Sequence, residues 1–191
     1  MTNIYETGLD KCEANYTPLS PISLLKRAAS VYPEYPAIID GERQLNWGEV
    51  AQRCRRLASA LGNIGIGKND TVAVLAPNST PIFEAHFGVP MAGAVLNTIN
   101  TRLDAANIGF ILNHGQAKVL MVDSELAGVA TEALSSVEHD VTVIECCVDG
   151  TAPALDAQDY ESFLDSGSDN APWNLPADEW DAISLNLSLI H

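Results

Sequence analysis

Thr71-Val-Ala-Val-Leu-Ala76, then Pro77-Asn78-Ser79, then the run from Pro81 to Gly93, then Ala94-Val95-Leu96-Asn97, follow one another without interruption. The first piece is a fully apolar strand. The second is a turn carrying a helix-cap candidate, Ser79. The third has helical length, and the fourth is a second short apolar strand. A strand, a helix and a strand joined this closely imply a crossover between parallel strands, and wholly apolar strands belong to a sheet covered on both faces.

Outward from this unit the alternation continues. Leu103 to His114 reads as a helix, Lys118-Val-Leu-Met-Val122 as a strand, Ser124 to Ser136 as a helix, and Val141-Thr-Val-Ile-Glu145 as a strand. Upstream, Ser20-Pro21 opens a helix over Ile22, Leu25, Ala28 and Ala29, with Ser as N-cap and Pro at the first helical position. Pro33 and Pro36 end it, and Ala37-Ile38-Ile39 pairs with Gln44-Leu45-Asn46-Trp47 across the turn Asp40-Gly41-Glu42-Arg43. Gly48 to Ile64 is an amphipathic helix, with Val50, Leu57, Ala58 and Leu61 inward and an exposed basic face of Arg53, Arg55 and Arg56. Residues 149 to 172 are loop-rich, with one short helix around Tyr160 to Leu164, and Ala182-Ile-Ser-Leu185 begins one more buried strand. The expected fold is α/β, a largely parallel layered sheet with helices on both faces.

Charge divides the chain. Residues 1–118 hold ten Lys/Arg against ten Asp/Glu, whereas residues 119–191 hold fifteen Asp/Glu and no base, so the second part carries the whole net charge of −15. Such a block repels phosphate backbones, which argues against a nucleic-acid partner. No run of eighteen apolar residues occurs, so no membrane-spanning helix is expected, and the polar start lacks a signal-peptide pattern, which points to a cytoplasmic protein. Cys12, Cys54, Cys146 and Cys147 match neither a zinc ribbon nor a C-x-x-C pair and read as reduced thiols, the adjacent two as small core and edge residues.

Gly62-x-x-Gly65-x-Gly67-Lys68 has neither the spacing nor the Ser/Thr of a Walker loop, and it follows a helix rather than a strand, so it reads as helix termination. His86, His114, His139 and His191 form no i, i+4 pair and have no acid or Cys to complete a metal set, so no metal site is assigned. His114 before Gly115 suits a helix C-terminus, and His86 is expected to be partly buried and hydrogen-bonded.

Three stretches carry a resemblance. Leu45-Asn46-Trp47-Gly48-Glu49-Val50 resembles the early L-T/S-Y-x-E-L motif of adenylate-forming enzymes. Gly88-Val-Pro-Met-Ala-Gly93-Ala-Val-Leu-Asn97-Thr-Ile-Asn100-Thr-Arg102-Leu103 resembles their second motif in its acyl-CoA synthetase form. Trp180 to Asn186 resembles the strand that leads into their signature loop. The resemblance implies the first part of the large N-terminal domain of an acyl-CoA synthetase. That family uses ATP with Mg and coenzyme A to turn a short or medium-chain fatty or related carboxylic acid into a thioester through an acyl-adenylate.

Where the family continues with Y-T-S-G-T-T-G-x-P-K-G, this chain has Leu187-Ser188-Leu189-Ile190-His191. The resemblance therefore carries no catalytic and no cofactor-binding residue onto these positions, only scaffold motifs: Trp47, Glu49, Gly93, Asn97, Asn100 and Arg102. Arg102 reads first as a surface or inter-strand brace. The expected organisation is an N-terminal arm (1–17), a β-α-β core (18–148), an acidic loop-rich segment (149–180) and a truncated strand (181–191). On this reading the 191 residues alone are inactive, bind none of the cofactors tightly, and expose the apolar strand that lacks its crossover. The rival reading is a non-catalytic partner-binding module with an acidic surface.

Overall fold

The computed structural model describes residues 3–5, 7–12, 14–147, 152–155 and 157–186. The elements run α1 (Pro21–Val31), β1 (Pro36–Asp40), β2 (Arg43–Asn46), α2 (Trp47–Asn63), β3 (Thr71–Leu75), α3 (Thr80–Met91), β4 (Val95–Thr98), α4 (Ala105–His114), β5 (Ala117–Asp123), α5 (Ala127–Leu134), β6 (Thr142–Cys146), β7 (Gln158–Asp159) and α6 (Tyr160–Asp165). β1 and β2 form an antiparallel hairpin. The other strands are all parallel, in the order β4-β3-β5-β6-β7. The fold is thus the α/β parallel sheet that the alternation of the sequence requires.

Alternation along β3 shows why its strands are apolar throughout. Val72 and Val74 pack with Leu57 and Leu61 of α2, Val89 of α3 and Phe163 of α6. Ala73 and Leu75 pack on the opposite face with Ile108 and Leu112 of α4 and Ala130 of α5. Both faces are dry, and each large side chain that is fully buried contributes about 1.5–3 kcal/mol. A further layer covers the outer side of α2, where Ile22 and Leu25 of α1 and Ile38 of the hairpin meet Val50, Cys54 and Met91. Gly88 allows α2 and α3 to approach closely, since a Cβ there would lie 2.7 Å from Leu57 Cδ2.

Several boundaries differ from the sequence reading, each for a local reason. The helix expected from Leu103 starts at Ala105 because Asp104 is its N-cap, accepting from the Asn107 amide at 2.9 Å. The helix expected over Ser124–Ser136 opens as a 3-10 turn, Ser124–Leu126, because Asp123 caps the Glu125 amide, and α5 then ends at Leu134. Ser79 does not cap α3; its hydroxyl donates to the Pro77 carbonyl. Asp40 on β1 supplies that cap instead, accepting from the Thr80 amide at 3.1 Å and the Thr80 hydroxyl at 3.0 Å.

The strand expected at Ala182–Leu185 is a single parallel bridge between Leu96 and Ser184. The rest of that expectation, residues 187–191, lies outside the described residues. The short strand β7 was not foreseen. The basic face of α2 is not free either: Arg53 is enclosed in an ion cluster, and Arg55 donates from Nε to the Ala171 carbonyl at 2.6 Å. His86 is exposed rather than partly buried, with Nδ1 held 2.7 Å from the Ile82 carbonyl. His114 closes α4 and stacks on Phe110.

Candidate functional site

The strand order places a reversal at β3 and β5: β3 leads outward to β4, and β4 crosses back over β3 to β5. In open α/β sheets a ligand crevice forms at the carboxyl ends of such strands. A cavity of about 260 Å³ lies there, lined in part by Asp40, Arg43, Ser79, Asp123 and Asp159. Its carboxylates are already committed. Asp40 caps α3, Asp123 caps the turn after β5, and Asp159 caps α6 through the Ser162 amide. With Glu161 also at the rim and Arg43 bound to it at 2.9 Å, the crevice carries an acidic lining that disfavours a phosphate group. Pro77-Asn78-Ser79 offers no glycine-rich cradle either.

The residues singled out by motif fall into two groups. Trp47 and Glu49 begin α2. Asn46 is the N-cap, with its side chain accepting from the Glu49 amide at 2.9 Å and the Glu49 carboxylate accepting from the Asn46 amide at 2.8 Å, a complete capping box. Trp47 packs beside the α1–hairpin layer. Neither faces the crevice lining described above.

The second group surrounds β4. Gly93 adopts φ +83°, a left-handed conformation that L side chains rarely take, in the turn that feeds β4. Asn97 is 2% exposed and donates from Nδ2 to the Leu185 carbonyl at 2.6 Å. On either side of it the backbone is also engaged: the Leu96 amide donates to Ile183 and the Leu185 amide donates to Leu96. Asn100 is exposed and accepts from the Arg102 amide at 3.0 Å, shaping the turn after β4, and the Arg102 side chain is exposed. β4 is therefore the strand that holds residues 183–186, the segment whose sequence resembles the run into a signature loop.

A buried ion cluster was not anticipated. Glu84, 0% exposed in the middle of α3, is held by Arg53 of α2 and accepts the Tyr160 hydroxyl at 2.7 Å. Arg53 also donates to Glu161 at 2.7 and 2.8 Å, and Glu161 in turn binds Arg43. Burial alone would lower the Arg53 pKa, but two carboxylates outweigh it and push it up. Burial raises Glu84, which shares its guanidinium with Glu161. Burial would also raise Glu161, but the bonds from Arg53 and Arg43 bring it below its ordinary value. The Tyr160 phenol and the Cys54 thiol are pushed up by burial beside Glu84. The cluster ties α2, α3 and α6 together. Its signal in the sequence was Glu84 itself, a charge inside an otherwise apolar helix, which demands a partner. A second buried acid, Glu145 on β6, accepts from the Ala154 and Leu155 amides at 2.9 and 2.8 Å and fixes the loop after that strand. Cys146 is buried and Cys147 half-buried, and burial pushes Cys147 up to about 11, so neither is a ready nucleophile.

Comparison with known proteins agrees with the motif and the fold. An acetate/butyrate–CoA ligase of Arabidopsis thaliana, named as peroxisomal, is 44% identical over 191 residues, covering 93% of this chain and 34% of its own length. An acetate–CoA ligase of Humulus lupulus matches at the same identity and coverage. A peroxisomal trans-cinnamate:CoA ligase of Petunia hybrida is 42% identical over 195 residues, again 93% of this chain and 34% of that protein. The chain thus spans about a third of the length of the curated relatives it matches. Among solved structures, an anthranilate CoA ligase bound to anthranoyl-AMP superposes with a TM-score of 0.81 over 93% of this chain and 34% of its own, at 20% identity, a likeness of fold. Residues 25–186 match the family model described as AMP-binding enzyme, and the chain belongs to that family of adenylate-forming CoA ligases.

Proposed function

We propose that this chain is the opening α/β part of an AMP-forming acyl-CoA ligase acting on a short or medium-chain fatty acid or a related carboxylic acid. The observation that carries the reading is the 44% identity, along almost the whole chain, to relatives named for acetate and butyrate. The cinnamate-named relative keeps aromatic acids within the class. In the proposed reaction a carboxylate oxygen attacks the α-phosphorus of ATP and pyrophosphate leaves; the thiol of coenzyme A then attacks the acyl carbon, loses its proton, and AMP leaves. Mg would offset phosphate charge in the first step.

The part assigned to these residues is scaffolding. β4 holds the 183–186 segment, Asn97 fixes its carbonyl, and Gly93, Asn100 and Arg102 shape the turns around the strand, while Trp47 and Glu49 set the start of α2. None of ATP, Mg or coenzyme A is assigned a contact here, and none is proposed to bind these 191 residues tightly. The division into arm (1–17), core (18–148) and acidic segment (149–180) belongs to the same proposal. So does a cytoplasmic location, for which peroxisomal relatives supply the competing outcome. No observation favours the acidic partner-binding module.

The test replaces the matched third of the Humulus lupulus acetate–CoA ligase with this chain and assays pyrophosphate release with acetate, butyrate, octanoate and cinnamate. Release that needs both an acid and ATP, with the acid preference read directly, is the expected result. The 191 residues alone should give none. A folded hybrid with no acid-dependent release would overturn the proposal.

A further inference from the structure

Asp40 and Gly41, at the turn of the hairpin, are tied to the structure very unevenly. The Asp40 carboxylate accepts from the Thr80 amide at 3.1 Å and the Thr80 hydroxyl at 3.0 Å, so it caps α3 from forty positions away. Ser79, at the N-cap position itself, makes no side-chain bond to the helix. Gly41 is held by far less. It sits exposed in a two-residue loop at φ +60°, and a Cβ built on it would meet nothing within 4 Å. Among the described residues no acceptor takes its amide. Asp104, Asp123 and Asp159 are caps of a different kind. Each caps the element that it opens, and each precedes a residue with a Cβ: Ala105, Ser124 and Tyr160. Among the described residues only Asp40 precedes a glycine.

We propose that Asp40-Gly41 is a modification site at which the chain isomerises to isoaspartate and thereby uncaps α3. The Gly41 amide nitrogen attacks Cγ of the neutral Asp40 carboxyl. The N–Cγ bond forms, the Cγ–OH bond breaks, and the hydroxyl leaves as water with the amide proton. The resulting succinimide takes up one water in return. Where the bond from the Asp40 main-chain carbonyl carbon to the Gly41 nitrogen breaks, the chain runs on through Cβ and Cγ, and the former main-chain carbonyl becomes a free carboxylate. Where the N–Cγ bond breaks, aspartate is restored. Composition is unchanged, and no oxidant, cofactor or ligase substrate takes part. Gly41 favours the attack because no Cβ shields its nitrogen. The two bonds from Thr80 oppose it by holding the carboxyl against α3, so the cap is also the restraint. Isoaspartate adds a carbon to the backbone and shortens the arm that bears the carboxylate, which removes the acceptor from Thr80. Thr80 is 1% exposed, and a buried donor left without an acceptor destabilises the fold. The change also falls on the crevice wall, which Asp40, Ser79 and Thr80 help to form.

The experiment ages the full 191-residue chain in buffer and labels it with an isoaspartate-specific carboxyl methyltransferase and S-adenosylmethionine. Peptide mapping by electron-transfer fragmentation then assigns the signal by position, which separates residue 40 from the other Asp-Gly step, Asp149-Gly150. Isoaspartate should accumulate at residue 40 with no change in intact mass. In the aged chain the Thr80 amide should lose its exchange protection, whereas the Val74 amide of β3 should keep it. Asp40→Glu retains a carboxylate but would need a larger ring, so the signal at residue 40 should be lost. Thr80→Val removes one of the two restraining bonds and should raise the initial rate at residue 40 while protection of Val74 stays intact. Should that variant fail to fold, the aged natural chain and Asp40→Glu still decide the matter. Absence of isoaspartate at residue 40, or isoaspartate there with Thr80 still protected, would overturn the proposal. A folded Thr80→Val chain that isomerises no faster would overturn the restraint assigned to the cap.

Discussion

Asn97 and Leu185, 88 residues apart in sequence, are joined by a 2.6 Å hydrogen bond from the Asn97 side-chain Nδ2 to the Leu185 carbonyl. The bond closes a ladder in which Leu96 is paired on both its amide and its carbonyl, and Asn97 is almost wholly buried. Asn97→Ala should therefore detach residues 183–186 from β4 while the rest of the sheet persists. The cost to global stability should be about 1–2 kcal/mol, the range for losing a buried polar partner. Hydrogen exchange is the direct measurement: the Leu185 amide should lose protection, whereas amides of β3 and β5 should not. Equal protection at Leu185 in both proteins would exclude the role.

The Arg53 cluster makes a sharper prediction because its members differ in burial. Arg53→Ala leaves the fully buried Glu84 without its cation and should cost roughly 3–5 kcal/mol, the range for breaking a buried pair from one side. Replacing both partners, Arg53→Met with Glu84→Leu, should recover most of that loss because no buried charge remains. Tyr160→Phe removes one donor and should cost about 1–3 kcal/mol. Denaturant midpoints check all three. A double variant no better than Arg53→Ala would show that the cluster's shape, and not its charge, is what matters.

Glu84 and Glu161 share Arg53 but should tilt the pH dependence in opposite directions. Glu161 is held below its ordinary value of 4.5, so its contribution is present above that value and is lost as the pH falls through its folded-state pKa. Glu84 is raised above 4.5, so the folded state favours its protonated form, and that contribution is lost as the pH rises through its folded-state pKa. Relative to the natural protein, Glu161→Gln should become more destabilising as the pH rises from acid toward neutrality, and Glu84→Gln less so. Urea melts across that range give both slopes, and slopes of the same sign would refute the division of the guanidinium between the two acids.

Much of this was legible in the sequence. The crossover unit at residues 71–97 was legible because wholly apolar strands and a helix of fixed length leave one arrangement. The hairpin turn was legible from Asp40-Gly41, where Gly41 indeed takes φ +60°. What escaped were contacts between distant elements. Asp40 looked like a turn residue, yet it caps a helix forty positions away. Arg53 looked like part of a solvated face, yet Glu84 and Glu161 enclose it. A helical period shows which side of a helix is apolar and is silent about which charge a later element will bring to the polar side. The capping box at Asn46 and Glu49 was local and could have been read from its spacing alone.

Salt should act on this chain through the uneven placement of its charge. The second part of the chain carries the whole net charge of −15, and the structure shows where the first part's bases go. Arg43 and Arg53 bind Glu161, Arg56 approaches Asp165 at 3.2 Å and Asp169 at 3.9 Å, and Lys68 binds Asp181 at 2.8 Å. Attraction therefore acts over a few ångströms, while repulsion among the remaining acids acts over longer distances. Screening length falls from about 30 Å at 0.01 M to about 10 Å at 0.1 M and about 3 Å at 1 M. Raising sodium chloride over the first interval should weaken the long-range repulsion far more than the close pairs, so the melting temperature should rise. Toward 1 M the screening length reaches the exposed pairs of Arg56 and Lys68, and the gain should level off. Arg56→Gln should lower the melting temperature at 0.01 M and make little difference at 1 M, because an exposed pair is worth at most about 1 kcal/mol and is screened by salt. A melting temperature that is flat or falling between 0.01 and 0.1 M would mean that self-repulsion of the acidic part does not govern stability.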